Sequence, residues 1–442
     1  MPFNQVWPGY QRPIDQTEMA GFAYRGMSGP VRVEVLSTRV FRSVAVRPAF
    51  RAIQPAVKGR RITFRLSRPG QLTLELDGPH HALHLFADPP ETNVPRRGGA
   101  NLQYFGPGVH RPGKIRLESG QTVYVAGGAV VYTAIEGRGI SGARILGRGI
   151  IDTSEFERGQ GGGSIRLSDC ADVQIDGVIL RDPDVWCLSA FGCRKLVISR
   201  VKLIGLWRYN ADGIDICNSQ DVTVHDSFVR SFDDSIVLKG LKRARESYDD
   251  RPVRNIRISS LVLWCDWGRA LEIGAETSAP EITDVIRRDI DVIRTTHIAM
   301  DIQHGDRAAV HGIRYEDIRV DMDESNLRPV MQWERGERYS PDPQPAYVPN
   351  LFVIVIQKNR YSNDAERGRV WDVVFKDISV AGKTLPASSF TGLDAEHDVR
   401  GVTIENLRFN GRPVVTVPDA RLRIGNSIQD VRIVEAGSGR SF

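Results

Sequence analysis

Residues 171–180 read Ala-Asp-Val-Gln-Ile-Asp-Gly-Val-Ile-Leu, two short apolar strands joined by polar residues at a bend. The phrase returns at 194–203 (Arg-Lys-Leu-Val-Ile-Ser-Arg-Val-Lys-Leu), at 220–229 (Gln-Asp-Val-Thr-Val-His-Asp-Ser-Phe-Val) and at 253–263 (Val-Arg-Asn-Ile-Arg-Ile-Ser-Ser-Leu-Val-Leu). Further copies lie at 285–292, 310–320, 370–380 and 399–409. Counted from Val173, the equivalent apolar position recurs at Leu196, Val222, Ile256, Val285 and Ile313, in steps of 23, 26, 34, 29 and 28 residues. The copies are rich in β-branched residues and lack the 3.6-residue apolar period of a helix. The repeat is too short for a propeller blade and has no leucine-rich signature. Asn-Gly turns, which mark antiparallel hairpins, are scarce. A unit of this kind cannot bury its own apolar face, and stacking the units closes a continuous core. An all-β chain follows, with a right-handed parallel β-helix over residues 106–442. The step from Ile313 to Val373 is 60 residues and holds an insertion at 321–350 with Trp333, Glu334, Arg335, Arg338 and Tyr339. On a solenoid such an insertion maps to loops on one face, often the binding face.

Residues 1–105 have a different texture. Val31–Val35, Phe41–Val46, Ile62–Leu66 and Leu72–Leu76 alternate apolar and polar residues between Gly, Pro and Ser punctuation, and Leu83–Phe86 adds another short run. This spacing predicts a small β-sandwich. Ala87–Asn101, with three prolines and two glycines, reads as a linker.

Composition narrows the function classes. The 442 residues are 41% hydrophobic and 26% charged, ordinary values for a globular protein. The net charge of +5 arises from 59 basic and 54 acidic residues, without a basic stripe interleaved with aromatics, so nucleic acid is not an expected partner. No apolar run approaches the roughly 18 residues of a membrane helix. The opening MPFNQVWPGY lacks a charged region followed by an apolar one, which predicts a cytoplasmic location if this is the native start and secretion if a leader has been trimmed. Five cysteines, an odd count without CxxC spacing, argue against a zinc site or a disulfide framework and for buried free thiols. No cofactor or metal is expected.

The chemistry concentrates in residues 207–240. Asn210-Ala-Asp212-Gly-Ile-Asp215 and Ser231-Phe-Asp233-Asp234 lie on either side of the alternating run Asp221–Asp226. Strand parity points Ile214, Ile216, Ile236 and Leu238 inward and leaves Asp212 and the Asp233/Asp234 pair at the strand entrances, with Lys239 outward. Coil stacking then sets Asp212 beside Asp233/Asp234, about 4.8 Å apart along the backbone. Three carboxylates so close cannot all ionise freely, so at least one pKa should rise. Cleavage of a glycosidic bond needs one group to protonate the leaving oxygen and a carboxylate to activate water. Asp215 and Asp226 read as turn formers.

These two motifs resemble polygalacturonase-type enzymes of glycoside hydrolase family 28, whose signature runs Asn-Thr-Asp-Gly-x-Asp, Asp-Asp, Gly-His-Gly, Arg-Ile-Lys. The resemblance covers the β-helical part, and implies that Asp233 is the general acid while Asp212 and Asp234 hold the attacking water, with inversion at the anomeric carbon. The chain departs from the signature at Gly268-Arg269-Ala270 and at Asp301-Ile-Gln303. The basic pair that holds a galacturonate carboxylate is missing, and an acid and an amide suit a neutral, hydroxyl-rich sugar better. A sandwich ahead of a β-helix is also similar to glycoside hydrolase family 49, the dextranases and isopullulanases, which makes an α-glucan an alternative substrate. Asn210, Arg269, Asp301, Gln303, Lys239, Trp207, Trp267 and His304 form the substrate-binding set. Trp264, His297 and Glu276 are weaker candidates. Two other classes share the scaffold. A polysaccharide lyase would need calcium carboxylates and an Arg or Lys base, a layout that Arg269 beside three aspartates imitates. A glycan-binding β-helix would show affinity without turnover. The missing leader suggests imported oligosaccharides, hence exo action or short chains.

Overall fold

The computed structural model describes residues 20–79, 82–92, 94–242, 246–322 and 349–435. Nearly all of the 321–350 insertion therefore lies outside the described residues. The chain divides into two compact units, one within residues 20–96 and one from Arg97 onward.

The second unit is a parallel β-helix. One sheet takes a strand from each coil in the order Ile165–Ser168, Leu188–Phe191, Ile214–Cys217, Ile236–Gly240, Arg269–Thr277, Ile298–His304 and Asn350–Ile356. A longer, bent sheet takes the paired segments that the sequence phrase describes, for example Ala171–Asp176 with Ile179–Arg181. The repeat positions stack as expected: Val173, Leu196, Val222, Ile256, Val285 and Ile313 are register partners coil to coil, continuing to Val373 and Val402. All are buried in one core that runs along the coils. Each fully buried Val, Leu or Ile contributes about 1.5–3 kcal/mol, so a coil holds only through its neighbours.

The polar residues between the paired strands have a backbone cause. Asp172, Lys195, Asp221, Asn255 and Asp284 occupy equivalent positions one residue before the core column, each with φ between 52° and 55°. A second left-handed column contains Asp226, Ser260, Asp289 and Asp317. Asp and Asn tolerate this region better than other non-glycine residues, which is why they recur in the phrase. Asp226 is such a turn residue, as read from the sequence.

The unit within residues 20–96 is a small sandwich. One sheet orders Gly21–Gly26, Leu83–Asp88, Gly70–Leu76 and Val44–Arg47; the other orders Val31–Leu36, Arg61–Leu66 and Ala56–Lys58. Ile62, Phe64, Leu66, Leu72 and Leu74 fill its core. Gly21–Gly26 and Ala56–Lys58 escaped the sequence reading because neither shows a clear alternation of apolar and polar residues.

Candidate active site

Register builds the site. Ile214, Ile236, Leu271 and Met300 are successive partners in the shorter sheet. Two residues earlier on three of these coils stand Asp212, Asp234 and Arg269, so the three form one column. Backbone bonds fix it: Gly213 N–H donates to Asp234 O at 2.8 Å and Ser235 N–H to Arg269 O at 2.8 Å. Asp233 precedes Asp234 in a turn held by its carbonyl, which accepts from Ser231 Oγ at 2.6 Å. Asn210, in the left-handed region at φ 56°, lies 3.5 Å through Nδ2 from Asp233 Oδ2, and Arg158 Nη2 donates to its Oδ1 at 2.7 Å. The turn before Arg269 must pass close: a Cβ on Gly268 would sit 2.6 Å from Asp233 C and Asp234 N.

One residue after the core column, the outward positions are Asp215, Val237, Glu272 and Asp301, again in register. Asp215 is therefore a strand residue in the site, not a turn former. Its carboxyl is buried with neither oxygen hydrogen bonded, and Asp212 Oδ1, Glu272 Oε2 and Asp301 Oδ1 are also buried without a hydrogen-bond partner. Glu272 was missed as a site residue, although the sequence held the signal. The pattern apolar–acid–apolar recurs as Ile214-Asp-Ile216, Leu271-Glu-Ile273 and Met300-Asp-Ile302.

Two cations face these acids. Arg269, 20% exposed, reaches Asp234 at 3.8 Å, Asp301 at 3.4 Å and Glu272 at 4.0 Å. Its backbone N–H also donates to Asp234 Oδ1 at 3.0 Å. The nearest acid oxygen to Lys239 Nζ is Glu276 Oε2 at 3.3 Å, and the ammonium lies over the Trp186 ring at 5.2 Å.

Burial and these charges separate the two aspartates of the pair. Asp233 is pushed up to about 7, by burial first and by the Asp234 charge second. Burial also acts on Asp234, but the Arg269 guanidinium, a hydrogen bond from Glu272 and the Arg269 N–H hold its carboxyl below the usual range. Asp212 is held well above its ordinary value by burial and then by Asp215, Asp233 and Asp234. Glu272 is raised by burial and Asp234, and Asp301 is raised to about 6 by burial. His297 sits near Arg269 and is held neutral, lowered to about 4 by burial and then by that guanidinium.

The remaining candidates divide. Gln303, half-buried, donates to Asp301 Oδ2 at 3.0 Å, and Trp267 stacks on Phe232 beside Asp233, with centroids 5.6 Å apart. Trp207 is turned to the neighbouring coil, where its Nε1 donates to Asp182 Oδ1 at 3.1 Å. Trp264 is fully buried between Arg230 and Arg294 and has no face for a sugar. The expectation for His304 needs correcting: it is fully buried, with Nδ1 bonded to Thr277 Oγ1 at 2.8 Å in the turn that also binds the Gly305 and Asp306 N–H groups. The five cysteines are free and buried, as read from the sequence.

This chain, a parallel β-helix with a carboxylate cluster at its strand entrances, belongs to glycosyl hydrolases family 28, whose profile matches residues 105–332, more than half of the sequence. Curated relatives include a probable rhamnogalacturonase A of Aspergillus oryzae, 24% identical over 152 residues, and rhamnogalacturonase A of Aspergillus niger, 23% identical over 152 residues. Each match takes in 34% of this chain, and the chain spans only 30–31% of the length of these relatives. Among solved structures, Dex49A from Penicillium minioluteum aligns with a TM-score of 0.62 at 15% identity, covering 93% of this chain and 83% of its own. An exopolygalacturonase from Thermotoga maritima aligns at 0.56 and 15%, covering 77% and 85%. At these identities the likeness is one of fold.

Proposed function

We propose that this protein is an inverting glycoside hydrolase that cleaves a neutral sugar unit from a pectin-type polysaccharide or an oligosaccharide derived from one. The carrying observation is the geometry of neighbouring aspartates: Asp234 accepts from the Arg269 backbone N–H at 3.0 Å and faces its guanidinium at 3.8 Å, which favours its ionised form, while Asp233 is buried beside that charge and is pushed up toward its protonated form. Asp233 protonates the leaving oxygen. Asp234, with Asp212 beside it, positions and deprotonates the attacking water. The neutral substrate is supported by Asp301 and Gln303, an acid and an amide, standing where the polygalacturonase signature has its basic pair. Sugar hydroxyls supply donors, whereas a uronate carboxylate would meet further carboxyls. A lyase reading is disfavoured by Arg269, whose guanidinium is held in its charged form by Glu272, Asp234 and Asp301 despite burial and so is a poor base.

Reducing-end release across pectic, α-glucan, fructan and arabinan substrates tests the class, and an unsaturated product absorbing in the ultraviolet would overturn it. On the substrate so found, Asp233→Asn should keep binding and lower kcat by about 10²–10⁴-fold. Wild-type turnover would remove Asp233 from its role. NMR of the first-formed anomer should show inversion. We further propose exo action, because Asp212, Asp233 and Asp234 are each no more than 6% exposed, a depth that suits a chain end. A ladder of mid-chain products would count against it.

A further inference from the structure

The unit within residues 20–96 carries charge out of proportion to its size. It holds twelve basic and five acidic side chains, whereas the whole chain is only +5. Part of the excess lies on the outer face of its three-stranded antiparallel sheet. There Arg32 stands directly opposite Arg65, and Lys58 directly opposite Arg61. All four are exposed. Glu34 pairs with Arg61, and no acidic partner reaches Arg32 or Arg65 among the described residues. Like charges facing each other across an antiparallel pair destabilise it, so the fold itself gives no reason for the Arg32–Arg65 pair. A depression of about 410 Å³ opens beside them, lined by Pro30, Val31, Arg32, Thr63, Phe64 and Arg65.

We propose that this face binds a carboxylate-bearing oligosaccharide of the polyuronate type, at a site separate from the carboxylate cluster. Two guanidinium forks side by side match carboxylates in geometry as well as charge. Arg61 and Arg65 lie four residues apart on one strand, about 13 Å at roughly 3.3 Å per residue, which calls for a ligand with several anionic units. Pro30, which lines the depression and is exposed, supplies apolar surface for the CH face of a sugar ring. The register places Arg32, Glu34, Leu36, Lys58, Arg61, Thr63 and Arg65 on this face without an aromatic among them, which disfavours single-stranded nucleic acid, whose bases stack on aromatic rings. The preference for a glycan over other polyanions leans on the hydrolase reading, whereas the binding itself does not.

The test uses the full chain carrying Asp233→Asn, so that turnover cannot consume the probe. Binding of polygalacturonate is measured by calorimetry at low ionic strength, with dextran and double-stranded DNA as comparisons. Polygalacturonate should bind more tightly than either, and added salt should weaken it. Arg32→Gln with Arg65→Gln should raise Kd at least tenfold, while Tm stays level or rises because a like-charge pair has gone. Arg32→Lys with Arg65→Lys, which keeps the charge and loses the forks, should fall between, and it is the deciding variant if the Gln pair fails to fold. No binding by the parent, an unchanged Kd in these variants, or DNA or dextran held as tightly would overturn the proposal. These outcomes read binding alone, so an inactive catalytic unit leaves them interpretable.

Discussion

Arg269 and Asp301 form an ion pair where the polygalacturonase signature would place a histidine and an arginine. A histidine titrates near neutrality, while this guanidinium stays charged and divides the Asp233/Asp234 pair. Removing it should lower kcat/KM at least about tenfold, the scale of one charge-assisted contact. The pH profile gives a sharper readout. Without Arg269, burial acts on Asp234 against weaker opposition and its carboxyl rises, so the acidic limb of kcat/KM should move to higher pH. Asp233 also loses an opposing charge, so the basic limb, near 7 in the parent, should move up as well. Arg269→Lys should restore activity in part. Parent-like kcat/KM in Arg269→Ala would place the residue outside the reaction. Asp212 and Asp234 were legible as neighbours, with Asp233 one residue before the second, because the motifs and the coil period together specify a column, whereas Arg269 was placed beside them by the resemblance to the family's histidine. Strand parity alone did not place Arg269, which shares its parity with the inward Leu271, because it lies at the strand's first residue, where the turn aims the side chain. Glu272 carries no turn signature, and its mark, an acid between two core residues, emerges only when the three coils are aligned.

At the scale of the element, each strand entrance is a turn whose shape matters as much as its side chains. Gly268 is the clearest case. A Cβ there would meet backbone of Asp233 and Asp234 at 2.6 Å, and backbone cannot swing aside as a flexible side chain can. Gly268→Ala should therefore displace the aspartate pair, lowering kcat by tenfold or more while leaving far-ultraviolet circular dichroism unchanged. Full activity would show that the turn relaxes without moving the carboxyls. A substitution remote from the site gives the contrast. Leu196→Ala, in the core column, should cost about 2–5 kcal/mol in denaturant unfolding and spare kcat in the folded fraction. The core column was legible because apolar identity is set by burial at fixed register. The left-handed columns showed only as recurring Asp and Asn. The loop carrying Arg158 toward Asn210 was not legible at all, because its partner lies 52 residues away across a coil boundary.

For the whole molecule, the β-helix holds a set of carboxyls that its own stability would not favour. A stack of coils supplies a rigid, water-poor floor, and burial there raises Asp212, Asp215, Asp233, Glu272 and Asp301. The two-unit plan was visible as a change in texture along the chain, whereas the strength of this burial depends on how loops close over the sheet, which no local pattern reports. The consequence is a stability that falls with pH. A carboxyl near 3.9 when unfolded and about 7 when folded binds its proton more tightly in the native state, so its contribution is complete below about pH 4 and is lost as pH rises through 7. Asp233→Asn removes that loss. The variant should match the parent in stability near pH 4 and exceed it increasingly toward pH 8, by up to a few kcal/mol at about 1.4 kcal/mol per pKa unit. Part of the gain would come from Asp212 and Asp234, which lose a charged neighbour in the same range. Thermal unfolding of both proteins at pH 4, 6 and 8 reads this directly. A Tm difference that stays constant across the series would mean that Asp233 ionises as readily in the folded protein as in the unfolded chain, and it could not then serve as an acid near neutrality.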